Sequence, residues 1–207
     1  MGTKLSRGQE GINVRSAGEV GTHTYLRTDG DGTCSWEPTP MYFSWGAAMR
    51  LAGVSAGDHV TVPIGYSATT ITLNTGGLNV DPALSYSIST TADNMNMRIV
   101  HFPENIVVDK IQAQVGQGGA NNTTHNFHVI KYTLATDGTG SSGAVVAAGS
   151  ILTTDDYAHR RYLDLTIVGG EEDVNSNEGL IGFIEMPTAV NTYLSCRFMM
   201  KFFMNTN

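Results

Sequence analysis

Alternation of apolar and polar residues marks three segments of this chain as strands. From Leu194 to Phe202, in the sequence LSCRFMMKF, every second residue is apolar or a thiol. Residues 109–115, DKIQAQV, and residues 162–168, YLDLTIV, alternate in the same way. Because successive side chains of a strand point to opposite faces, each segment predicts a strand with one buried face and one solvated face.

Shorter segments rich in β-branched and aromatic residues complete a set of about ten predicted strands. Turn-forming sequences such as Asn-Thr-Gly-Gly and Asp-Pro separate many of them. The short segments are residues 42–45, 59–64, 69–73, 84–90, 95–102, 127–134 and 180–186. Residues 47–51 and 144–149 could instead be helical, but both are too short to change the fold class.

The pattern as a whole predicts an all-β protein. No stretch is long enough for a crossover helix, so we expect the strands to pair antiparallel. About ten such strands fit a two-sheet β-sandwich, and we predict a jelly roll. No repeat of fixed period occurs, which argues against propellers and solenoids.

The first forty residues differ from the rest of the chain. Residues 1–24 contain five glycines, few apolar residues and no sustained periodicity. Residues 25–36, YLRTDGDGTCSW, predict two short strands around a turn, because Asp-Gly readily adopts the positive φ of a hairpin. A Pro-Thr-Pro sequence at 38–40 follows. We therefore predict an extended arm and β-hairpin, residues 1–40, used for anchoring or oligomerisation, before a jelly-roll body, residues 41–207.

The hairpin also carries a resemblance to a known class of protein. Its pattern, Leu-x-Thr-Asp-Gly-x-Gly-x-x-x-Trp, is formed by Leu26, Thr28, Asp29, Gly30, Gly32 and Trp36. Leading into a β-rich domain, this pattern resembles the surface proteins of tailed-bacteriophage virions, which include tail fibres, head fibres and capsid decorations. The order of aromatic and apolar segments is similar to their C-terminal jelly-roll domains across most of residues 22–203. The resemblance implies a non-enzymatic, commonly trimeric protein.

Low charge limits the partners of this chain. Charged residues make up 15%, and the formal net charge is −7. A nucleic-acid surface needs clustered Lys and Arg, whereas the twelve basic residues here are dispersed. No apolar run approaches the length of a membrane span, and the start of the sequence is not a signal peptide. We therefore expect no nucleic-acid partner, no membrane insertion, and synthesis in a reducing host cytoplasm.

The sequence gives little support for a metal or redox site. Cys34 and Cys196 lie far apart among apolar or aromatic neighbours, so buried free thiols are expected, with one disulfide as the alternative. Residues 173–178, DVNSNE, gather oxygen ligands that suit calcium, although a solvated acidic loop is the simpler interpretation. His125 and His128 are three apart, which places them on opposite faces of a strand and argues against zinc. We predict no metal site.

Neither a cofactor site nor a catalytic centre is predicted. Residues 138–143, GTGSSG, match a dinucleotide-binding pattern, but no helix follows them, so we expect a loop between strands. Asp155, Asp156, Tyr157 and His159 could supply an acid and a base, but their spacing specifies no reaction. A glycosidase needs two carboxylates about 5–9 Å apart, a distance that the sequence does not reveal.

These features predict a structural protein of a bacteriophage virion, a trimeric decoration or fibre protein attached through its N-terminal arm. Its partners would be further copies of itself and other capsid or tail proteins. The residues assigned to anchoring or to the oligomer interface are Tyr25, Leu26, Asp29, Gly30, Gly32 and Trp36. The alternative is a receptor- or glycan-binding module at a fibre tip. The polar loop at 116–124 could contact a sugar, although a plain connection between strands is the simpler interpretation. A glycan-cleaving β-sandwich enzyme is a third hypothesis.

Overall fold

The chain forms antiparallel β-sheet throughout the part that the computed structural model describes. That part comprises residues 24–28, 34–65, 72–74, 79–85, 97–117, 123–136, 139–153, 161–186 and 190–205. Its strands are β1 (Thr24–Thr28), β2 (Cys34–Pro38), β3 (Met41–Val54), β4 (Asp58–Val62), β5 (Thr72–Asn74), β6 (Ile99–His101), β7 (Ile106–Gln117), β8 (Thr123–Leu134), β9 (Gly140–Thr153), β10 (Arg161–Ile167), β11 (Asp173–Val174), β12 (Glu178–Glu185) and β13 (Val190–Met204). The described ranges contain no helix, and so none that could cross a membrane. The predicted all-β class is confirmed.

Eight of the strands follow the order of a jelly roll. The front sheet has the order β3-β13-β7-β10, and the back sheet has the order β9-β8-β12-β4. In chain order, the first of these eight strands pairs with the last, and the pairing continues inward from both ends. The pairs are β3 with β13, β4 with β12, β7 with β10 and β8 with β9. Such nested antiparallel pairing is the arrangement of the double-sheet jelly roll. The predicted topology is therefore confirmed.

Strand β10 joins the two sheets. Residues 161–165 pair with β7 of the front sheet, whereas Thr166 and Ile167 pair with β9 of the back sheet. A strand that changes sheets in this way turns a corner of the sandwich. The short strands extend the same framework: β5 pairs with β4, β6 with β12, and β11 with β7.

Apolar side chains from alternate strand positions fill the space between the sheets. On β13, Phe198 lies opposite Trp45 of β3 and Ala113 of β7. The rings of Trp45 and Phe198 stack with their centroids 5.1 Å apart. The back sheet contributes Val60, Val62, Phe127, Val129, Leu180 and Ile184. The alternation seen in residues 194–202 therefore does separate a core face from a solvated face.

Strand β12 is buried on both of its faces. Leu180 and Ile184 belong to the core between the sheets, whereas Ile181 and Phe183 belong to a second apolar cluster on the outer side of the back sheet. An unbroken apolar run is typical of a strand that is covered on both sides. The outer side of the back sheet must therefore be covered by another part of the chain.

Two expectations about local structure were wrong. Residues 47–51 and 144–149, considered for helix, lie within β3 and β9. Both segments pair with a neighbouring strand, and this pairing outweighs the weak local preference of their small residues. The glycine-rich sequence at 138–143 was expected to be a loop, but from Gly140 onward it belongs to β9 and pairs with β8.

The hairpin forms a two-stranded sheet of its own. Strands β1 and β2 pair from Thr24 with Pro38 to Thr28 with Cys34. Among the described residues, neither strand pairs with the sandwich. The predicted hairpin is confirmed, while its turn at residues 29–33 lies outside the described residues. The division of the chain at residue 40 stays a prediction.

Gly182 of β12 lets the two sheets approach closely at the centre of the core. A Cβ atom at this position would lie 2.5 Å from Cε2 of Phe198 and 3.0 Å from the indole nitrogen of Trp45. Both rings are almost completely buried and stacked on each other, so neither has room to retreat.

We expect Gly182→Ala to lower the free energy of unfolding by about 1–3 kcal/mol, the usual cost of overpacking a core. Urea denaturation followed by tryptophan fluorescence measures this loss. The matched control is Gly169→Ala, because a Cβ at Gly169 meets nothing within 4 Å. The control should change stability by no more than about 0.5 kcal/mol. Equal stability of the two variants would contradict the close approach at Gly182.

Candidate functional site

The outer face of the front sheet, here called the front face, presents the side chains that alternate with core residues. Because the strands are in register, these side chains form rows across β3, β13, β7 and β10. The rows are Tyr42-Lys201-Lys110, Ser44-Met199-Gln112-Asp164 and Gly46-Arg197-Gln114-Tyr162. Sequence alternation predicted the polar side of β13, but the neighbours of each residue depend on the register.

Two lysines of the front face are paired with carboxylates. The Lys110 ammonium lies 2.8 Å from Oδ2 of Asp164, and the Gln112 amide donates to Oδ1 at 2.7 Å. These two hydrogen bonds hold the pKa of Asp164 below its usual value. Lys201 lies 2.8 Å from Asp109, whose carboxylate raises the pKa of that lysine. The charges of both lysines are therefore offset by neighbouring carboxylates.

A depression of about 350 Å³ lies over Gly46. The backbone of Gly46 has a φ of 146°, and a side chain here would overlap the carbonyl oxygen of Cys196 on the neighbouring strand. At its edge the Arg197 guanidinium donates to the Ser44 hydroxyl at 2.9 Å, and Gln114 also contributes to the lining. The absence of a side chain at Gly46 thus leaves room for this depression.

A second depression, of about 440 Å³, lies beside Tyr42 and includes Gln112 and Met199. Tyr42 is 75% exposed, and Tyr162, in a different row, is 68% exposed. Exposed tyrosine and methionine are enriched in protein interfaces, and a tyrosine ring beside amide groups also suits a sugar. The front face is therefore equipped for surface binding of a protein or a saccharide.

The residues predicted for anchoring lie on the hairpin. Tyr25 is 42% exposed on β1, and its Cα partner is Glu37. Leu26 and Trp36 occupy directly opposite positions on the two strands. Outside the described residues lie Asp29, Gly30 and Gly32. The hairpin thus brings Leu26 and Trp36 together, and their role as an interface stays a prediction.

The acidic loop considered for calcium binds a lysine ammonium. Nζ of Lys131 lies 2.7 Å from the carbonyl oxygen of Asp173 and 3.0 Å from a carboxylate oxygen of Glu171. The Glu178 carboxylate accepts a hydrogen bond from the backbone N–H of Asn175 at 2.8 Å. These oxygen atoms therefore have a structural role within the loop. In the described part of the chain, no three His, Cys, Asp or Glu side chains are grouped to hold a metal ion.

His125 and His128 lie on opposite faces of β8, as predicted. His125 has the same parity as Phe127, a core residue, whereas His128 lies opposite Phe183 of the outer cluster. Burial lowers the pKa of His125 to about 4, so it is neutral at pH 7. The other candidates for acid–base chemistry, Asp155, Asp156, Tyr157 and His159, lie outside the described residues.

A buried polar cluster on the outer side of the back sheet was not predicted. His59 of β4 and Glu185 of β12 are Cα partners, with Nε2 and Oε2 3.9 Å apart. The ring of His128 lies 5.5 Å from that of His59 between centroids. The sequence did contain a signal of this cluster, because His59 and Glu185 each adjoin a run of apolar residues that is buried. Pairing them, however, requires the register of three strands.

Comparisons with known proteins add little to this description. No protein-family model matches the sequence, and no curated protein matches it. Among solved structures, the chain is similar to the empty head of turnip yellow mosaic virus at 10% identity and a TM-score of 0.25, over 90% of this chain and 89% of that one. It is also similar to infectious bursal disease virus at 9% identity and a TM-score of 0.26, over 85% of this chain and 43% of that one. Similarity at these TM-scores carries no functional inference, so the jelly-roll assignment rests on strand order.

Cys196 of β13 is a free, buried thiol, as expected from its sequence neighbours. Complete burial raises the pKa of this thiol far above its usual value. The side chain of Cys34 lies outside the described residues.

We expect Cys196 to be inert in the native protein, because only a thiolate attacks a disulfide reagent. In a Cys34→Ser variant, the folded protein should give no reaction with Ellman's reagent at pH 8. The same sample unfolded in urea should give one thiol per chain. Rapid reaction of the folded variant would contradict the buried position of Cys196.

Proposed function

We propose that this chain is a structural protein of a bacteriophage virion, a surface-attached decoration or fibre protein. In this proposal the arm and hairpin, residues 1–40, attach the jelly-roll body to other capsid or tail proteins, and three copies associate. The proposal includes no catalytic activity. A jelly-roll sandwich suits such a role because it presents rigid sheet faces and loops on a compact core.

The observation that most supports this proposal is the isolation of the hairpin. Strands β1 and β2 pair with each other and, within the described residues, with no strand of the sandwich. A two-stranded hairpin alone is marginally stable at best in water. Contacts with another chain would supply the missing stabilisation, and Leu26 and Trp36 are the apolar residues at its centre.

The surface near the start of β3 also favours association. Met41 is 38% exposed and Tyr42 is 75% exposed, so an apolar patch begins where the hairpin meets the body. Tyr42 is the Cα partner of Lys201, and Tyr25 of the hairpin lies near the same lysine, so the hairpin borders that end of the front face. A patch that joins anchor and body is a natural subunit interface. The trimer itself is inferred from the resemblance to phage surface proteins.

Removing residues 1–40 should leave a soluble β body that unfolds cooperatively but neither trimerises nor adds to particles lacking the protein. Light scattering measures the mass, circular dichroism the fold, and co-sedimentation the addition to particles. An unfolded truncated body would show that the arm belongs to the core. A full-length monomer that ignores the particles would contradict the proposed function.

A point variant tests the hairpin without deleting it. Trp36→Ala should weaken association at least tenfold, since large aromatic residues dominate interface energies. Tyr162→Ala is the matched control, because Tyr162 is exposed on the front face two rows away from Tyr42, and this variant should associate normally. Both variants should keep a folded β body that unfolds cooperatively. Equal association of the two would contradict the hairpin as the interface.

The alternative function, glycan binding at a fibre tip, is favoured by one observation. Tyr162 is 68% exposed and shares a row with Gln114 and Arg197, next to the depression over Gly46. A glycan array tests this hypothesis, with binding expected to be lost in Tyr162→Ala and retained in Tyr162→Phe, which keeps the ring. Absence of binding by the full chain, or equal binding by both variants, would contradict it.

A further inference from the structure

Residues 79–84, here called the strap, lie on the outer side of the back sheet. The backbone N–H of Asn79 donates to Oε1 of Glu185 at 2.7 Å, and Oδ1 of Asp81 lies 3.6 Å from Nε2 of His128. His59 makes a hydrogen bond with the backbone of Val80. Three consecutive residues of the strap are therefore held by titratable side chains of three different strands.

The other end of the strap is held by neutral groups. The Tyr132 hydroxyl donates to the carbonyl oxygen of Ala83 at 2.6 Å, and the Gly143 N–H donates to that of Leu84 at 2.9 Å. A Cβ on Gly143 would lie 2.9 Å from the same Leu84 oxygen, so glycine allows this close approach. None of these contacts changes its charge between pH 4 and pH 8, an interval in which Tyr hydroxyls stay protonated.

The titratable end encloses two histidines in one buried pocket. His59 is fully buried and His128 is 8% exposed. Glu185 is 1% exposed, and Nδ2 of Asn126 donates to its Oε2 at 2.7 Å. Water is thus largely excluded from the site where each imidazole would carry its proton.

Carboxylates and burial shift the pKa values of the two histidines in opposite directions. Asp58 of β4, Glu185 of β12 and Asp81 of the strap favour protonated histidine, whereas burial and the neighbouring imidazole disfavour it. On the same side of β4, the Arg98 guanidinium donates to the Thr61 hydroxyl at 2.9 Å and adds a positive charge. The net effect lowers the pKa of His59, mainly through burial. The pKa of His128 is also lowered, by burial first and by His59 second.

We propose that residues 79–84 form an acid-released strap, which detaches from the back sheet when His59 and His128 take up protons. The closed strap keeps both imidazoles neutral, and opening admits water and gives them their ordinary affinity for protons. The open form therefore binds more protons, so acid favours it. The closed form is fully stable above about pH 6.5, the pKa of a solvated histidine, and loses stability as the pH falls below that value.

Release would begin at Asn79 and leave the neutral contacts of Ala83 and Leu84 as a hinge. Pro82, which is buried in the closed form, would reach solvent. The next residue, Ala83, is bonded to the hydroxyl of Tyr132, which forms the outer cluster with Ile130, Ile181 and Phe183. Acid would thus uncover an apolar surface on a sheet that is otherwise covered.

Hydrogen exchange of the full chain between pH 7.5 and pH 4.5 tests this inference, with rates corrected for the intrinsic effect of pH. Exchange at the Asn79 amide should accelerate at least tenfold as the pH falls through about 6. Amides of β7 serve as the internal reference and should stay protected. In the variant carrying His59→Gln and His128→Gln, exchange at Asn79 should no longer depend on pH. The control variant is His101→Gln, because His101 is exposed and contacts the carbonyl of Ser176, which does not belong to the strap. This variant should behave as the unmodified chain.

Two results would overturn the proposal. One is exchange at Asn79 that does not respond to pH in the unmodified chain. The other is simultaneous loss of protection at Asn79 and in β7, which would indicate global acid unfolding, for which the buried His125 provides a cause.

Asp81→Asn provides a second test, which applies if the strap of the double histidine variant is already open at neutral pH. Asp81 is 64% exposed, so its replacement should not disturb the fold. The Asp81 carboxylate opposes release, because it attracts the protonated form of His128. Its removal should move the opening to higher pH, and an unchanged or lower midpoint would contradict the proposal.

Discussion

Every strand of the front sheet depends on the position of β13, which lies between β3 and β7 and pairs with both. The contact between Ser44 and Arg197 spans 153 residues of sequence, and the Trp45–Phe198 stack lies beside it. Among the described strands, neither β3 nor β7 has another neighbour that could bring them together. The core therefore forms only when the two ends of the body meet, which makes folding cooperative and dominated by long-range contacts.

The sequence predicted which segments form strands and which face of a strand is buried. It did not predict the partners of each strand. Alternation in residues 194–202 identified the core face of β13, because side-chain direction is a property of a single strand. Residues 47–51, which include two alanines, were considered for helix, although pairing with β13 makes them part of one long strand. His59 and Glu185 could be recognised as charges beside apolar runs. Their contact depends on register, which is set by the whole sheet.

The two sheets differ in how their outer faces are covered. On the back sheet, a segment 106 residues away in sequence bonds to Glu185 and closes the site over buried histidines. Irregular backbone of this kind leaves no periodic signal in the sequence, which is why the cover was not predicted. The front face has no such cover among the described residues, and its two lysines form ion pairs with Asp164 and Asp109. In the proposed function, partners would meet the front face and the hairpin.

The direction in which β3 leaves the hairpin determines how the body would carry mechanical load. Met41 at the start of β3 lies opposite Phe202, and twelve residue pairs connect the two strands from there to Val54. Under the proposed attachment, tension on the arm would act along β3. The hydrogen bonds between β3 and β13 would then be loaded together, in shear, and would have to break as a group. Detachment under force is governed by the rate of unfolding, so this geometry would hold the body on its anchor longer than one in which the strand is peeled away bond by bond.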